Sequence, residues 1–159
     1  MKKFVCITIS DSRSKDPNIS DLAGLRIIES LEKKYEFLEK KIIPDEKNII
    51  SKTISDFLSY KDLDLIITTG GTGVSSRDVT PEATKNLIQK EIPGIPELIR
   101  NQFYKNIETS VLYRGLCGIS NKKIILNLPG SPGGVKDGLL VSEPLFDHIF
   151  KMISGNTEH

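Results

Sequence analysis

The sequence predicts an α/β fold: three layers, α/β/α, around a mostly parallel sheet with one antiparallel strand. Three observations carry this. Short β-branched or apolar runs alternate with stretches whose apolar residues recur at helical spacing. Leu63 to Thr69 (LDLIITT) is a run that a sheet buries on both faces, and it breaks on Gly70-Gly71-Thr72-Gly73. Two late runs, Val111 to Ile119 and Lys123 to Leu128, meet at Ser120-Asn121 as a short hairpin does, which reverses one strand. At 159 residues the chain suits one domain. Residues 1–153 are read as that domain and 154–159 as a polar, flexible tail.

Taken in order, Phe4 to Ser10 (FVCITIS) is the predicted first strand. It ends in Ser10-Asp11-Ser12-Arg13 and a polar loop, for which an Asx-type turn is the plain structural reading. Ser20 or Asp21 then caps a helix with Leu22, Leu25, Ile28 and Leu31 on one face. Tyr35 to Ile43 leads into a second strand, with Phe37, Ile42 and Ile43 as core candidates, and Pro44-Asp45-Glu46 ends it. Ile49, Ile50, Thr53, Ile54, Phe57 and Leu58 mark the clearest helix, for which Asp45 is a natural N-cap.

After the glycine turn, Thr80 is expected as N-cap and Pro81 as the first helical residue. Glu82 follows, and Ala83 stands where a capping box needs Glu. This helix is expected to run to about Lys90, where Pro93 and Pro96 break it. Ile95, Leu98, Ile99 and Phe103 mark another to about Asn106, with Arg100 lying over its apolar side. Pro129 to Gly134 forms a second glycine-rich turn before a helical segment, which Pro144 restarts with Leu145, Phe146, Ile149, Phe150 and Ile153 inward.

Composition excludes several function classes. The 22 Lys and Arg nearly balance 21 Asp and Glu, giving +1. The Lys pairs are scattered and offset by acids, so no nucleic-acid partner is expected. No apolar run approaches a membrane span, and the opening apolar stretch is too short for a signal peptide, so no membrane partner is expected either. Cys6 and Cys117 sit in apolar surroundings, as free thiols of a reducing, cytoplasmic compartment do. With only His148 and His159, and no zinc-ligand spacing, a histidine or zinc site is not expected.

Three strand ends gather residues suited to a phosphorylated ligand: Ser10 to Arg13, Gly70 to Asp78, and Pro129 to Gly134. Glycines let backbone N–H groups approach a phosphate, hydroxyls stand beside them, and Arg77 and Asp78 add one cation and one anion. On adjacent strands these loops would converge on one crevice. Neither standard nucleotide fingerprint is present: GGTG lacks the spacing of G-x-G-x-x-G, and no Gly-Lys-Ser/Thr occurs. A dinucleotide-dependent oxidoreductase is therefore disfavoured. The bland alternative for GGTG alone is a tight strand-to-helix turn.

Taken whole, TTGGTG followed by RDVTPEA resembles the MogA/MoaB family of molybdenum-cofactor biosynthesis proteins. IIPDE (Ile42–Glu46), PGIPELIR (Pro93–Arg100) and NLPGSP (Asn127–Pro132) also look like that family's signatures, in order. The resemblance implies a molybdopterin-binding-like domain and molybdopterin adenylyltransferase activity: AMP passes from ATP to the terminal phosphate of molybdopterin, pyrophosphate leaves, and Mg²⁺ is needed. It implies Asp45 and Asp78 as catalytic and metal-binding residues. Ser10, Asp11, Ser12, Thr69, Gly70, Gly71, Thr72, Gly73, Pro129, Gly130, Ser131 and Pro132 are the expected ligand-binding set. It further implies a homotrimer or hexamer, and hand-over of the product to a molybdate-inserting protein. The competing reading is a non-catalytic molybdopterin-binding or scaffold protein of the MoaB type, against which the presence of both aspartates counts. One departure stands out: Tyr113 precedes Arg114 where many relatives have serine, so position 113 is left out of the site.

Overall fold

The computed structural model describes residues 1–155. Its elements are β1 (Lys3–Ile9), α1 (Asp11–Lys15), α2 (Leu22–Leu31), β2 (Glu36–Ile43), α3 (Lys47–Leu58), β3 (Leu65–Thr69), α4 (Thr80–Lys85), β4 (Lys90–Glu91), α5 (Gly94–Tyr104), a 3-10 helix (Glu108–Leu112), β5 (Cys117–Ser120), β6 (Lys123–Leu128) and α6 (Pro132–Ser154). The strands form one sheet in the order β2-β1-β3-β6-β5-β4. β2, β1, β3 and β6 pair in parallel, and β5 pairs antiparallel with both β6 and β4. β5 is thus the one reversed strand.

Alternation along the strands divides the core. Phe4, Cys6, Leu65, Ile67, Ile124 and Leu126 face Ile27 and Leu31 of α2, Ile99 of α5 and Phe146 of α6. Val5, Ile7, Ile66 and Ile125 face Ile50, Ile54 and Phe57 of α3, with Ala83 of α4. Both sheet faces are covered, as parallel sheets require. Burial pushes the thiols of Cys6 and Cys117 up to about 12, which leaves them protonated and unreactive.

Several elements differ from the sequence reading. α2 buries Ala23, Gly24, Ile27 and Leu31, while Leu22 and Leu25 are exposed. Asp21 caps the helix through the Gly24 N–H and also accepts from Thr8 Oγ1 at 2.6 Å, which turns the small Ala23-Gly24 face onto β1. In the same way Ile49 on α3 and Leu98 on α5 face outward. The helix after Pro81 stops at Lys85, and Lys90-Glu91 instead pairs with β5. Val111 to Leu116 is not strand: Glu108–Leu112 is a 3-10 helix, and β5 begins only at Cys117.

The hairpin exists, with Asn121 (φ 48) and Lys122 (φ 61) in the left-handed region that a two-residue turn demands. Pro144 does not restart α6, which runs unbroken through it. Both Pro144 and Leu140, whose carbonyl loses its donor, are on the solvent side, so water replaces the missing bond. Leu145 is correspondingly exposed, while Phe146 and Phe150 are buried. α6 ends at Ser154 on the left-handed Gly155, and the rest of the expected tail lies outside the described residues.

Candidate active site

The strand order places the carboxyl ends of β2, β1, β3 and β6 side by side. The three loops singled out in the sequence follow β1, β3 and β6, and Asp45 follows β2. Their contacts join them into one crevice.

On the β1 side, Ser10 caps the single turn of α1, its Oγ accepting from the Arg13 N–H at 3.3 Å and lying 3.2 Å from Ser12 Oγ. Asp11 and Asp45 are tied reciprocally. Asp45 Oδ2 accepts the Asp11 N–H at 2.9 Å, and Asp11 Oδ1 accepts the Asp45 N–H at 3.1 Å. Asp45 is therefore not the cap of α3; that position is Glu46, which makes no side-chain cap bond. Arg77 reaches across from the β3 loop and donates to both oxygens of Asp11, each at 3.0 Å, and to Glu46 at 2.9 Å. This fork-on-carboxylate pairing holds the Asp11 carboxyl below the usual range. Asp45 moves the other way. Burial raises its pKa, and the nearby charges of Asp11 and Asp78 add to the rise.

The glycine turn requires its glycines. Gly70 (φ 100) and Gly71 (φ 65) occupy left-handed backbone, and a Cβ on Gly70 would collide with the Ile9 carbonyl. A Cβ on Gly71 would lie 3.1 Å from Asp45 Oδ1, and one on Gly73 would lie 2.8 Å from Asp78 Oδ2. The turn thus packs directly against both aspartates. Thr80 is not the cap of α4 but its first residue, with Val79 at the cap position. Its hydroxyl donates to the Gly70 carbonyl at 2.9 Å and its N–H to the Gly71 carbonyl at 3.0 Å. Among the described residues no hydrogen bond takes the N–H groups of Gly71, Thr72 or Gly73. Three successive free amides form the kind of concavity that binds an anion.

The third loop closes the crevice. Thr69 Oγ1 donates to the Pro129 carbonyl at 2.6 Å, and a Cβ on Gly130 would touch Gly70 Cα at 3.3 Å. Ser131 caps α6 through the Gly134 N–H at 3.0 Å, and Pro132 is the first helical residue.

Sequence reasoning missed Arg114, naming it only as the neighbour of Tyr113. Its backbone N–H donates to the Thr72 carbonyl at 2.9 Å, its Nε to the Gly73 carbonyl at 2.8 Å and its Nη2 to the Asp78 carbonyl at 3.0 Å. Nη1 pairs with Glu82 at 2.8 Å. One side chain thus clamps both ends of the Gly73–Asp78 loop. Nothing in local spacing signals this, because β5 pairing and the preceding 3-10 helix deliver Arg114 from outside the motif. Tyr113 points away into the core, 5% exposed, with its hydroxyl on the Asn127 carbonyl.

Asp78 Oδ2 is held by its own loop, from the Ser75 N–H at 3.0 Å and Oγ at 2.7 Å. The other oxygens, Asp78 Oδ1 and Asp45 Oδ1, accept no hydrogen bond among the described residues. Two carboxylates with one open oxygen each fit Mg²⁺, which favours one or two carboxylates plus phosphate oxygens and water. No cluster of three or more His, Cys, Asp or Glu suited to a metal occurs among the described residues, so no all-protein cage competes with that arrangement.

The fold is a single-sheet α/β domain whose strand-end loops gather free amides and the carboxylates of Asp11, Asp45 and Asp78. The chain belongs to the family described as the probable molybdopterin binding domain, whose pattern matches residues 5–148. A molybdopterin adenylyltransferase of Helicobacter pylori is 38% identical over 154 residues, covering 94% of this chain and 86% of that protein. The molybdenum cofactor biosynthesis protein B of Staphylococcus aureus is 36% identical over 150 residues, covering 92% and 89%. The molybdopterin biosynthesis enzyme MoaB of Thermus thermophilus has the same fold, with a TM-score of 0.89 at 35% identity over 98% of each chain.

Proposed function

We propose that this chain is a molybdopterin adenylyltransferase, transferring AMP from ATP to the terminal phosphate of molybdopterin. The carrying observation is the row of free amides at Gly71 to Gly73 set between the open oxygens of Asp45 and Asp78. Relatives named as that enzyme match over most of the chain. In the reaction an oxygen of the pterin phosphate forms a bond to the α-phosphorus of ATP. The bond from that phosphorus to the bridging oxygen breaks, and pyrophosphate leaves with the electron pair.

Such a transfer depends on positioning and charge neutralisation more than on covalent help. The glycine-turn amides hold a phosphate, and the loop at Pro129 to Pro132 closes the same crevice from the β6 side. Asp45 and Asp78 would hold Mg²⁺ through their open oxygens, and the bound ion would neutralise phosphate charge. Arg114 fixes the loop that carries Asp78, and the Arg77–Asp11–Glu46 cluster fixes the opposite wall beside Asp45. Incubation of the protein with molybdopterin, ATP and Mg²⁺ tests this reading. AMP-pterin and pyrophosphate are expected in equal amounts, and their absence alongside intact pterin binding would leave a binding protein.

The reading extends to assembly and setting. A groove beside α5 and the 3-10 helix is lined by Glu97, Arg100, Asn101, Tyr104 and Val111. Leu98 on α5, Leu112 on the 3-10 helix and Ile107 just before that helix are exposed. This apolar surface suits a symmetric contact between copies, and a homotrimer, or a hexamer built from trimers, is the proposed assembly. Among the described residues no helix is long and apolar enough to cross a membrane. With two reduced cysteines, the proposed setting is the cytoplasm, where the activated product passes to a molybdate-inserting protein.

A further inference from the structure

The amino-terminal edge of the sheet, opposite the crevice, holds a second polar recess of about 390 Å³. Lys2 reaches it from before β1, Lys61 and Asp64 from before β3, Lys122 and Lys123 from the β5–β6 turn, and Phe150 from α6. Four lysines and one aspartate thus line it. The aspartate is already engaged: Asp64 Oδ1 accepts Lys2 Nζ at 2.8 Å, and Oδ2 accepts the Lys3 N–H at 2.9 Å. Lys2 also lies 5.2 Å from the centre of the Phe150 ring.

Lys61, Lys122 and Lys123 make no ion pair or side-chain hydrogen bond among the described residues. Lys123 is the telling one. It opens β6, is only 7% exposed, and has no polar partner among the described residues. No side-chain nitrogen among the described residues is both fully occluded and unbonded, so this ammonium reaches solvent, and Lys123 lines the recess. The turn that presents it is fixed in advance. Asn121 and Lys122 hold left-handed backbone, and Gln89 brackets Asn121 by bonds of 3.0 and 3.3 Å.

We propose that this recess binds a small multivalent oxyanion of the phosphate or pyrophosphate class, at a site separate from the carboxyl-edge crevice. Lys61, Lys122 and Lys123 supply the charge, and the preset turn limits the ordering that binding requires. The same chemistry would accept a free oxyanion or the phosphate chain of a nucleotide.

The test is titration of the ¹⁵N-labelled full chain with inorganic pyrophosphate, at low ionic strength and without divalent cation, with a parallel titration by ATP. Saturable amide shifts are expected at Lys61 to Asp64 and at Asn121 to Ile124. Shifts there with pyrophosphate alone assign a free oxyanion, and shifts with both ligands assign a phosphate chain. The exposed pair Lys61→Gln and Lys122→Gln should weaken binding at least tenfold. Lys123→Met, which keeps the buried stem, should do the same while distant amides keep their positions. Shifts that do not saturate, that stay confined to Gly70 to Asp78, or whose midpoint is unchanged in both sets of variants would overturn the proposal.

Discussion

Asp45 differs from an ordinary surface carboxylate in ways that can be measured. Burial raises its pKa, the charge of Asp78 raises it further, and that of Arg77 lowers it. Carbon-detected NMR titration should therefore show the Asp45 value falling in Asp78→Asn and rising in Arg77→Gln. An acid whose folded pKa is raised contributes stability that is full below its unfolded value and is lost as pH rises through the folded value. At neutral pH the charged form is a burden on the fold, so Asp45→Asn should unfold at an equal or higher urea concentration than the parent. Asn can still accept the Asp11 N–H, which keeps the local tie. A residue retained in a state that weakens the fold suits a functional role better than a capping one.

Gly70 is the complementary case, where geometry alone decides. Gly70→Ala forces a side chain into left-handed backbone against the Ile9 carbonyl and should cost at least about 1–3 kcal/mol. A denaturation midpoint reads that directly. The glycine turn was legible in the sequence because its chemistry is local, three glycines at a strand end with Asp78 in the loop beyond; Asp45, on another loop, was marked by the family resemblance. Arg114 was not legible, because its role arises only when β5 lies against β6 and brings it under another loop.

At the scale of elements, the Gly73–Asp78 loop depends on that arginine. Arg114→Lys keeps the charge but replaces a planar fork with a single point donor. Amide exchange across Ser75 to Asp78 should quicken, and stability should fall by about 1–3 kcal/mol, as expected for lost bonds from a charged donor. The kcat should drop more than pterin affinity, since the glycine amides remain. α6 offers a test in the other direction. Pro144 sits inside the helix on its solvent side, and nothing in the described structure uses its ring. Pro144→Ala restores a backbone donor and should raise stability by about 1–2 kcal/mol after allowing for the freer unfolded chain.

The errors in reading elements share one cause. Leu22, Leu25, Ile49 and Leu98 are apolar and correctly spaced, yet exposed. Periodicity marks a helix but does not choose its inward face when a cap such as Asp21 and a small pair such as Ala23-Gly24 set the docking angle. Likewise Val111 to Leu116 has strand-like composition, but a backbone turn from Ser110 to Tyr113 and the donation from Arg114 to Thr72 hold it away from the sheet.

For the whole molecule, the parallel layered sheet follows from the alternation of elements and the reversed β5 from the hairpin signal at Ser120-Asn121, while the strand order emerges only in the fold. That order brings the four strand ends together and converts scattered motifs into one crevice. An interface between copies is expected from the sequence, because the helix around Ile95 to Phe103 and the stretch Thr109 to Leu116 carry more apolar surface than one helix layer needs, and the trimer comes from the family resemblance. Light scattering at micromolar concentration should report a mass near three or six chains. A monomer would remove the proposed interface. Leu112→Glu, placed on the exposed apolar surface, should shift the population toward single chains.

The most direct measurement of the central claim is pyrophosphate release with molybdopterin, ATP and Mg²⁺, paired with pterin affinity by fluorescence. It is made on the parent chain and on Asp45→Asn, Asp78→Asn and Gly71→Val. Catalysis by differential stabilisation predicts that both Asn variants lose transfer by about a hundredfold or more while pterin still binds. Gly71→Val, whose side chain would meet Thr80 and Asp45 from left-handed backbone, should lose binding itself. Transfer at the parent rate in both Asn variants would contradict the assignment of this crevice as the site of adenylyl transfer.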